Sequence, residues 1–409
     1  MAKSTLQKTS LINFCDKIAL YSLLGIAFFI PISKAIIEVF IYLAIVSFIV
    51  KKFLQREDFI KTPINLSIFF YFLICFISIF LSNNSGISSR SFLGKVLQNI
   101  ALFFVASETL ASEKRLKWFI TILSLSAIVL GIDGIYQHFT HKDFIRHRPD
   151  LMIPRIYATF TSPSDFGCYL TIVIPFALTQ IFVKSYKKSV KLLFFGLFVL
   201  SFVCLVLTVS RGAWFAFIGS ILFMSLWIHS FAVFFIILGI VLIALQPFLN
   251  YYIKERLNNF FVFSDPSSID RKYMWEAGWK MFLSKPILGL GLGTFMFNFK
   301  KFVDPTFAYI SYAHNCYLQI LAEIGTIGFI SFLLILILFF FFGMKELFRQ
   351  KFSFTWYALL AAQAAILGYC IQMVVDTNFY SLDLGVLFWL ILGVGVAALK
   401  ATKITPGNN

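Results

Sequence analysis

Charged residues are scarce in this chain of 409 residues, at 13%, whereas hydrophobic residues reach 59% and the mean hydropathy is +0.86. So little charge excludes an ordinary soluble domain, in which charged residues make up about a quarter of the composition. The six cysteines are scattered, without a CxxC pair or a metal-ligand spacing, which excludes a disulfide framework and a zinc site. What remains is a chain of long apolar segments, typical of an integral membrane protein.

Several enzyme motifs are also missing. The polar loops contain no DxD or comparable pair of carboxylates, which disfavours a magnesium-dependent sugar-nucleotide glycosyltransferase. GxSxG, P-loop and HExxH patterns are absent. The stretch GLGLGTF at 289–295 follows no strand, so its glycines are interpreted as a close-packed turn rather than a dinucleotide-binding loop. We therefore expect no metal and no cofactor.

The apolar segments have the length that a helix needs to cross roughly 30 Å of hydrocarbon, and the alternating pattern of barrel strands is absent. The sequence predicts an all-α integral membrane protein, with residues 1–409 forming one polytopic domain of about twelve transmembrane helices. The predicted spans are 15–32, 35–50, 64–82, 92–109, 118–137, 166–183, 192–209, 213–229, 231–249, 316–342, 355–375 and 383–399.

Basic residues predict the orientation. They accumulate in alternate connections, for example at 184–191, and the tendency of cytoplasmic loops to retain Lys and Arg places these connections and the N-terminus inside. The first apolar run ends without a small-residue cleavage site and is interpreted as a retained span rather than a signal peptide. Two long loops, near 138–165 and 250–315, then lie on the non-cytoplasmic side, the second between spans nine and ten.

The longer outer loop contains residues with helical spacing. Within 269–286, one apolar stripe joins Met274, Trp275, Gly278, Met281 and Phe282. The pattern predicts an amphipathic helix that ends at Pro286 and lies along the membrane interface.

Arg211 stands alone in the apolar run LTVSRGAWFAF, at the outer end of the seventh predicted span. One interpretation is an interfacial arginine that snorkels or caps a turn. The other is a phosphate ligand, because a guanidinium stays ionised in a partly dehydrated site and matches phosphate oxygens with a flat fork of donors. The absence of a nearby carboxylate favours the phosphate ligand.

His314 and Arg271 belong to the same outer side. His314 lies where the long loop re-enters the membrane, and it is either a satisfied interfacial histidine or a general base that accepts a hydroxyl proton. Arg271, near the start of the amphipathic helix, resembles a solvated surface arginine when taken alone. Because the topology brings Arg211, Arg271 and His314 to one side, we predict two anion ligands and one base in a shared cavity.

Three segments resemble the bacterial O-antigen ligase and polymerase superfamily of polytopic membrane glycosyltransferases: SRGAW at 210–214, DRKYMWEAGWKMFLSKPILGLGLGTF at 270–295 and AHNCYLQILAEIGTIG at 313–328. RIYATFTSPSDFGCYL at 155–170 shows a weaker similarity. The order and spacing of these segments are more specific than any one of them.

The resemblance implies a metal-independent, inverting reaction at the periplasmic face of the inner membrane. An O-antigen ligase transfers a polysaccharide from undecaprenyl pyrophosphate to a sugar hydroxyl of the lipid A core. By position, Arg211 and Arg271 match the arginines thought to hold the pyrophosphate, and His314 matches the histidine thought to activate the acceptor. In and next to these segments, the predicted substrate-binding residues are Arg155, Lys272, Trp275, Tyr312 and Asn315. The implied partners are the carrier-linked glycan, the lipid A core and membrane lipids, without nucleic acid.

Other functions stay open at this point. An O-antigen polymerase or a protein O-oligosaccharyltransferase of the same superfamily would share these motifs. A membrane transporter or lipid flippase would also explain many spans, but transporters place ionisable groups near mid-membrane in repeated halves, whereas the charges here lie at span ends.

Overall fold

The computed structural model describes residues 2–56, 61–147, 155–228, 239, 266–307, 309–349 and 352–404. Across these ranges the chain is helical and forms no β-strand, which confirms the predicted all-α class. The helices are α1 (Ala2–Phe29), α2 (Lys34–Gln55), α3 (Asn65–Leu81), α4 (Ser85–Ser91), α5 (Gln98–Thr109), α6 (Glu113–Thr140), α7 (Pro163–Ile181), α8 (Lys188–Leu207), α9 (Arg211–Ser225), α10 (Pro266–Ser284), α11 (Phe295–Phe299), α12 (Cys316–Arg349), α13 (Phe354–Gln372) and α14 (Leu382–Ile404).

Seven of the described helices are long and apolar enough to cross a membrane: α1, α6, α7, α8, α12, α13 and α14. Each covers most of one predicted span, so the chain is a multi-pass membrane protein. The predicted spans 64–82 and 213–229 correspond to α3 and α9, whose 17 and 15 residues are apolar but shorter than a full crossing normally needs.

Three predicted spans are not among the seven. The span at 35–50 lies in α2, which has charged residues at both ends. The span at 92–109 begins as a π-helical turn, Phe92–Leu97, which leaves only 12 residues of α-helix in α5. The span at 231–249 lies outside the described residues, apart from Gly239.

Ion pairs mark one end of the helix bundle. Asp16 of α1 pairs with Lys51 of α2 at 2.7 Å and with Arg115 of α6, while Glu108 of α5 pairs with Lys52 at 2.8 Å. We call these five residues the ion-pair end. It brings together Lys51, Lys52 and Arg115, which the sequence predicts to lie on a common side.

The opposite end of the bundle is marked by a weaker contact. Lys34, at the start of α2, lies 3.7 Å from Asp383, at the start of α14. The connection between α13 and α14, residues 373–381, therefore lies at this second end, together with the start of α9 and the start of α12.

Small residues pack the centre of the bundle. α13 is alanine-rich, and these alanines are fully buried: Ala358, Ala361, Ala362, Ala364 and Ala365. In α14, a Cβ at Gly393 would lie 2.9 Å from the Phe103 carbonyl oxygen of α5. Such close approach lets helices pack by van der Waals contact where lipid supplies no hydrophobic driving force.

A small second core lies beyond the second end of the bundle. It is built mainly from α10 and α11, and its buried residues are Met274, Ala277, Met281, Leu290, Phe295, Phe299, Ala313 and Ala322. The single apolar stripe predicted for 269–286 is therefore divided. Met274 and Met281 face this core, whereas Trp275 is exposed and Phe282 is only partly buried.

Glycines fasten this second core to α12. Gly289 has φ +71, and a Cβ there would lie 2.3 Å from the Glu323 carbonyl oxygen. The Leu290 N–H donates to the Ala322 carbonyl at 3.0 Å, and the Gly291 N–H donates to the Glu323 carbonyl at 2.9 Å. The interpretation of 289–295 as a close-packed turn is thereby confirmed.

Candidate functional site

Three arginines, Arg155, Arg211 and Arg271, line one cavity at the second end of the bundle. The cavity encloses about 580 Å³ of space, its open mouth included. Asp376 is the one carboxylate among its described lining residues. Since guanidinium groups stay protonated at every relevant pH, the lining carries a net positive charge suited to an anion.

Arg211 is positioned by the junction between α8 and α9. Ser210 is the N-cap of α9, its hydroxyl accepting from the Ala213 N–H at 3.5 Å, so Arg211 is the first residue of the helix. The partial positive charge at a helix N-terminus adds to the guanidinium charge and favours an anion. Arg211 is only 7% exposed, so its charge lies in a largely dehydrated environment.

The backbone at this junction is unusual. Val209, which lines the cavity, has φ +51, a left-handed conformation that disfavours a β-branched residue. This backbone conformation reverses the chain within Thr208–Ser210 and places Arg211 at the cavity wall. A Cβ at Gly212 would lie 2.7 Å from a methyl of Val375, so the next position in α9 packs closely against the connection that carries Asp376.

Arg155 enters the cavity from a different part of the chain. Its Nε donates to the Thr208 carbonyl at 2.9 Å, and the neighbouring Ile156 N–H donates to the Leu207 carbonyl at 3.2 Å. The later part of the predicted loop 138–165 is therefore attached to the end of α8. This contact brings Arg155 to the same wall as Arg211.

Arg271 lies near the start of α10 and reaches the cavity from the second core. Its buried Nε has no hydrogen-bond acceptor among the described residues. An unpaired buried donor is costly unless a ligand satisfies it. Arg271 is also close enough to Asp376 to lower the pKa of that carboxyl electrostatically.

His314 is connected to the cavity through Asp376. The His314 Nδ1 lies 3.3 Å from the Asp376 Oδ1, and the histidine side chain is 37% exposed. His314 has φ +46, a backbone conformation that is uncommon outside glycine and occurs at functional sites. The structure thus brings Arg211, Arg271 and His314 into one region, with His314 next to the cavity rather than in its lining, and their predicted roles stay predictions.

The connection between α13 and α14 holds Asp376 in place. The Thr377 N–H donates to the Asp376 Oδ1 at 2.8 Å, and the Cys316 thiol donates to the Asp376 carbonyl at 3.1 Å. Burial alone would raise the pKa of Asp376. The hydrogen bond and charge of His314, the Thr377 N–H and the charge of Arg271 outweigh that effect and lower the pKa below its ordinary value.

Sequence reasoning missed Asp376. The available signal was a single carboxylate in MVVDTNF, directly after an apolar span, where a charge needs a partner. Its partner, His314, precedes it by 62 residues, and only the packing of α12 against α13 brings the two together.

The other predicted substrate-binding residues do not line the cavity. The Asn315 Oδ1 accepts from the Leu318 N–H at 3.0 Å and caps the start of α12. Lys272, Trp275 and Tyr312 are exposed nearby, Trp275 on α10 and Tyr312 just before His314. Their role as substrate ligands stays a prediction. Within the described ranges, no group of three or more His, Cys, Asp or Glu residues is placed to hold a metal ion.

Comparison with known proteins finds one matching family model. The family model described as O-Antigen ligase matches residues 196–333, a range that includes Arg211, Arg271 and His314 but neither Arg155 nor Asp376. No curated protein matches the chain. The polytopic helical bundle and the order of the matched residues agree with this result. Residues 196–333 of this multi-pass membrane protein are therefore similar to the O-antigen ligase family.

Proposed function

We propose that the protein is an O-antigen ligase that transfers a polysaccharide from undecaprenyl pyrophosphate to a sugar hydroxyl of the lipid A core. The observation that carries the proposal is the convergence of Arg155, Arg211 and Arg271 on one cavity whose carboxylate, Asp376, contacts His314. The match of residues 196–333 to the O-antigen ligase family supports the same reaction class.

The arginines hold the diphosphate of the donor. Arg211 approaches it from a helix N-terminus, and the unpaired Nε of Arg271 gains a phosphate oxygen as acceptor. Negative charge grows on the leaving diphosphate as its bond to the sugar breaks. Fixed cations in a dehydrated site stabilise that charge, an effect worth roughly 10²- to 10³-fold in rate for each important group.

His314 activates the acceptor. Because Asp376 accepts the hydrogen bond from Nδ1–H, Nε2 is left with a free lone pair that can take a proton. The acceptor hydroxyl gives its proton to Nε2 while its oxygen forms a bond to the anomeric carbon. The bond from that carbon to the diphosphate breaks, and the diphosphate leaves with the electron pair. One displacement of this kind inverts the anomeric centre and requires neither a metal nor a nucleotide.

The membrane arrangement follows from this chemistry. Both substrates are lipids whose reactive groups lie at the membrane surface, so a cavity at the ends of spans aligns them. We place the site on the periplasmic side of the inner membrane, with the loops 138–165 and 250–315 on that side. In this arrangement α2, the shorter helices α3, α5 and α9, and the predicted span 231–249 complete about twelve crossings.

The test is transfer in vitro by purified protein supplied with carrier-linked glycan and lipid A core, in the presence of a chelator and without nucleotide. We expect wild type and the control variant His138→Ala, in the last turn of α6, to form ligated product, and His314→Ala to lose about 10²- to 10⁴-fold in rate. Glycan that lengthens on its carrier, without transfer to lipid A core, would identify a polymerase and overturn the ligase assignment.

A further inference from the structure

An exposed apolar face runs along α10. Trp275, Trp279 and Leu283 follow one another at intervals of four residues and are 36%, 50% and 57% exposed. At 3.6 residues per turn, this spacing keeps all three on one side of the helix. We call these three residues the tryptophan stripe. Large apolar side chains exposed in a row are unusual in water and indicate an interaction surface.

The tryptophan stripe is distinct from the face that α10 buries. Met274, Ala277 and Met281 pack into the second core, and a Cβ at Gly278 would lie 3.0 Å from the Leu318 side chain in the first turn of α12. The helix is thus already fixed to the protein by one face. The tryptophan stripe is a second apolar face, which points away from the protein.

Both ends of α10 touch ends of the bundle helices. Near its start, Arg271 lines the cavity between the start of α9 and the connection after α13. Just beyond its end, the Lys285 Nζ donates to the Asn83 Oδ1 at 3.1 Å, two residues after α3 ends. A helix of 19 residues is about 28 Å long, so α10 lies across the span ends instead of rising from them.

This position determines what the tryptophan stripe meets. The ends of membrane spans lie at the level of the lipid headgroups, where tryptophan is enriched because its ring is apolar and its N–H is polar. Exposed Lys272, Lys280 and Lys285 surround the tryptophan stripe, and their ammonium groups complement anionic headgroups. An apolar face bordered by lysines at this height matches a lipid surface.

We propose that α10 is an interfacial helix whose tryptophan stripe is seated in the lipid leaflet at the second end of the bundle. The occupant of this face is phospholipid, with anionic headgroups at the lysines. The proposal assigns Trp275 to lipid, whereas the sequence analysis predicted it to be a substrate-binding residue. It places Arg271, on the same helix, at the height of the headgroups. It depends on the geometry of α10 and not on the proposed reaction.

The test uses single cysteines carrying a nitroxide label. Trp279→Cys and Leu283→Cys probe two positions of the tryptophan stripe, while Lys280→Cys and Ser284→Cys are matched controls at exposed polar positions, each turned about 100° from the stripe residue that precedes it. The six native cysteines are buried, so labelling is directed to the introduced thiol, and unsubstituted protein gives the background. The full-length protein is reconstituted into vesicles of phosphatidylethanolamine and phosphatidylglycerol, and collision rates with oxygen and with a water-soluble nickel chelate are measured.

We expect the labels at 279 and 283 to collide mainly with oxygen, and the labels at 280 and 284 mainly with the nickel chelate. The ratio of the two rates should differ several-fold between the pairs. Equal access of the nickel chelate to all four positions would overturn the proposal, since the tryptophan stripe would then face water. Low collision rates with both reagents at 279 and 283 would also overturn it, because protein would cover the tryptophan stripe. Either stripe position alone suffices if the other variant does not fold.

Discussion

The two ends of the helix bundle use charge in different ways. At the ion-pair end, Asp16 lies between Lys51 and Arg115, and Glu108 contacts Lys52, so opposite charges from α1, α2, α5 and α6 are joined directly. At the other end, three arginines line a cavity with one carboxylate, Asp376. The first arrangement holds helices together. The second leaves a positive field inside a cavity, which is the property that a diphosphate requires.

The difference separates cations that support the fold from cations that serve a ligand. Both ends contain largely buried basic residues in an apolar bundle, and sequence composition does not distinguish them. The partners of these basic residues do distinguish the two ends. An ion pair satisfies a buried charge within the protein, whereas a guanidinium that lines a cavity can be satisfied by substrate. Substitutions at the two ends should therefore affect different measurements.

Among the substitutions that compare the two ends, the largest effect is expected for Arg211→Ala. Removing a cation from the leaving-group site should lower the transfer rate by roughly 10²- to 10³-fold with little change in unfolding temperature. Its matched control is Arg115→Ala, which breaks the pair with Asp16 and should lower thermal stability while the folded fraction keeps its rate. Initial rates and thermal unfolding of the two purified variants make the test. Equal losses of transfer rate in the two variants would contradict the claim that the two ends use charge for different purposes.

Asp376→Asn should come next, with a loss of about 10²-fold or more in rate, because an amide does not fix the histidine tautomer or balance the imidazolium. The pKa of Asp376 is lowered in the folded protein, so its stabilising contribution is complete above the ordinary aspartate pKa of about 3.9 and is lost as pH falls through the folded value.

The stability of the Asp376→Asn variant, relative to that of wild type, should depend on pH. Asp376→Asn should be less stable than wild type at neutral pH, and the difference should narrow as the pH is lowered below about 4. Unfolding measured across this pH range provides the check. A stability difference that grows with acid would contradict the assigned role of the carboxylate.

Asp16→Asn should destabilise the ion-pair end by about 1–3 kcal/mol, because Lys51 and Arg115 would lose their common partner in a mostly buried site. The control is Glu113→Gln, which breaks the more exposed Glu113–Lys117 pair at one turn of α6 and should cost less than about 0.5 kcal/mol. Denaturant unfolding in detergent compares them. Similar losses for both would mean that burial does not strengthen the Asp16 pairs.

The smallest effect is expected for Val209→Gly. Glycine adopts the positive φ at this position without steric cost, which offsets the greater entropy it gains in the unfolded chain. Val209 is buried, so the packing lost with its side chain opposes this gain, and we expect a net change in stability within about 1 kcal/mol, read from thermal unfolding. A clear loss of stability would show that the Val209 side chain contributes more by packing than its backbone costs.

Hydropathy predicted the fold class and most spans, because a helix in lipid needs a continuous apolar segment whatever its neighbours are. It did not predict the boundaries of the shorter helices. The π-helical turn at Phe92–Leu97 and the length of α9 depend on packing within the bundle. The predicted total of about twelve was therefore reached by treating short apolar segments as full crossings.

The convergence of Arg211, Arg271 and His314 on one end of the bundle was predictable, because the predicted topology assigns all three to one side. Arg155 was predicted from its segment, but its bond to Thr208 depends on tertiary packing. Residues that are adjacent in sequence can also differ in exposure. Lys272 follows Arg271 yet is exposed, because consecutive residues on a helix point about 100° apart.

The central claim is that the arginine-lined cavity binds the diphosphate of a lipid carrier. Its most direct test is the equilibrium affinity of the purified protein for undecaprenyl pyrophosphate, measured for wild type, Arg211→Ala and Arg115→Ala. We predict that Arg211→Ala weakens binding at least tenfold, the effect of losing about 1.4 kcal/mol, while Arg115→Ala binds as wild type does. Unchanged affinity in the folded Arg211→Ala variant would contradict the account.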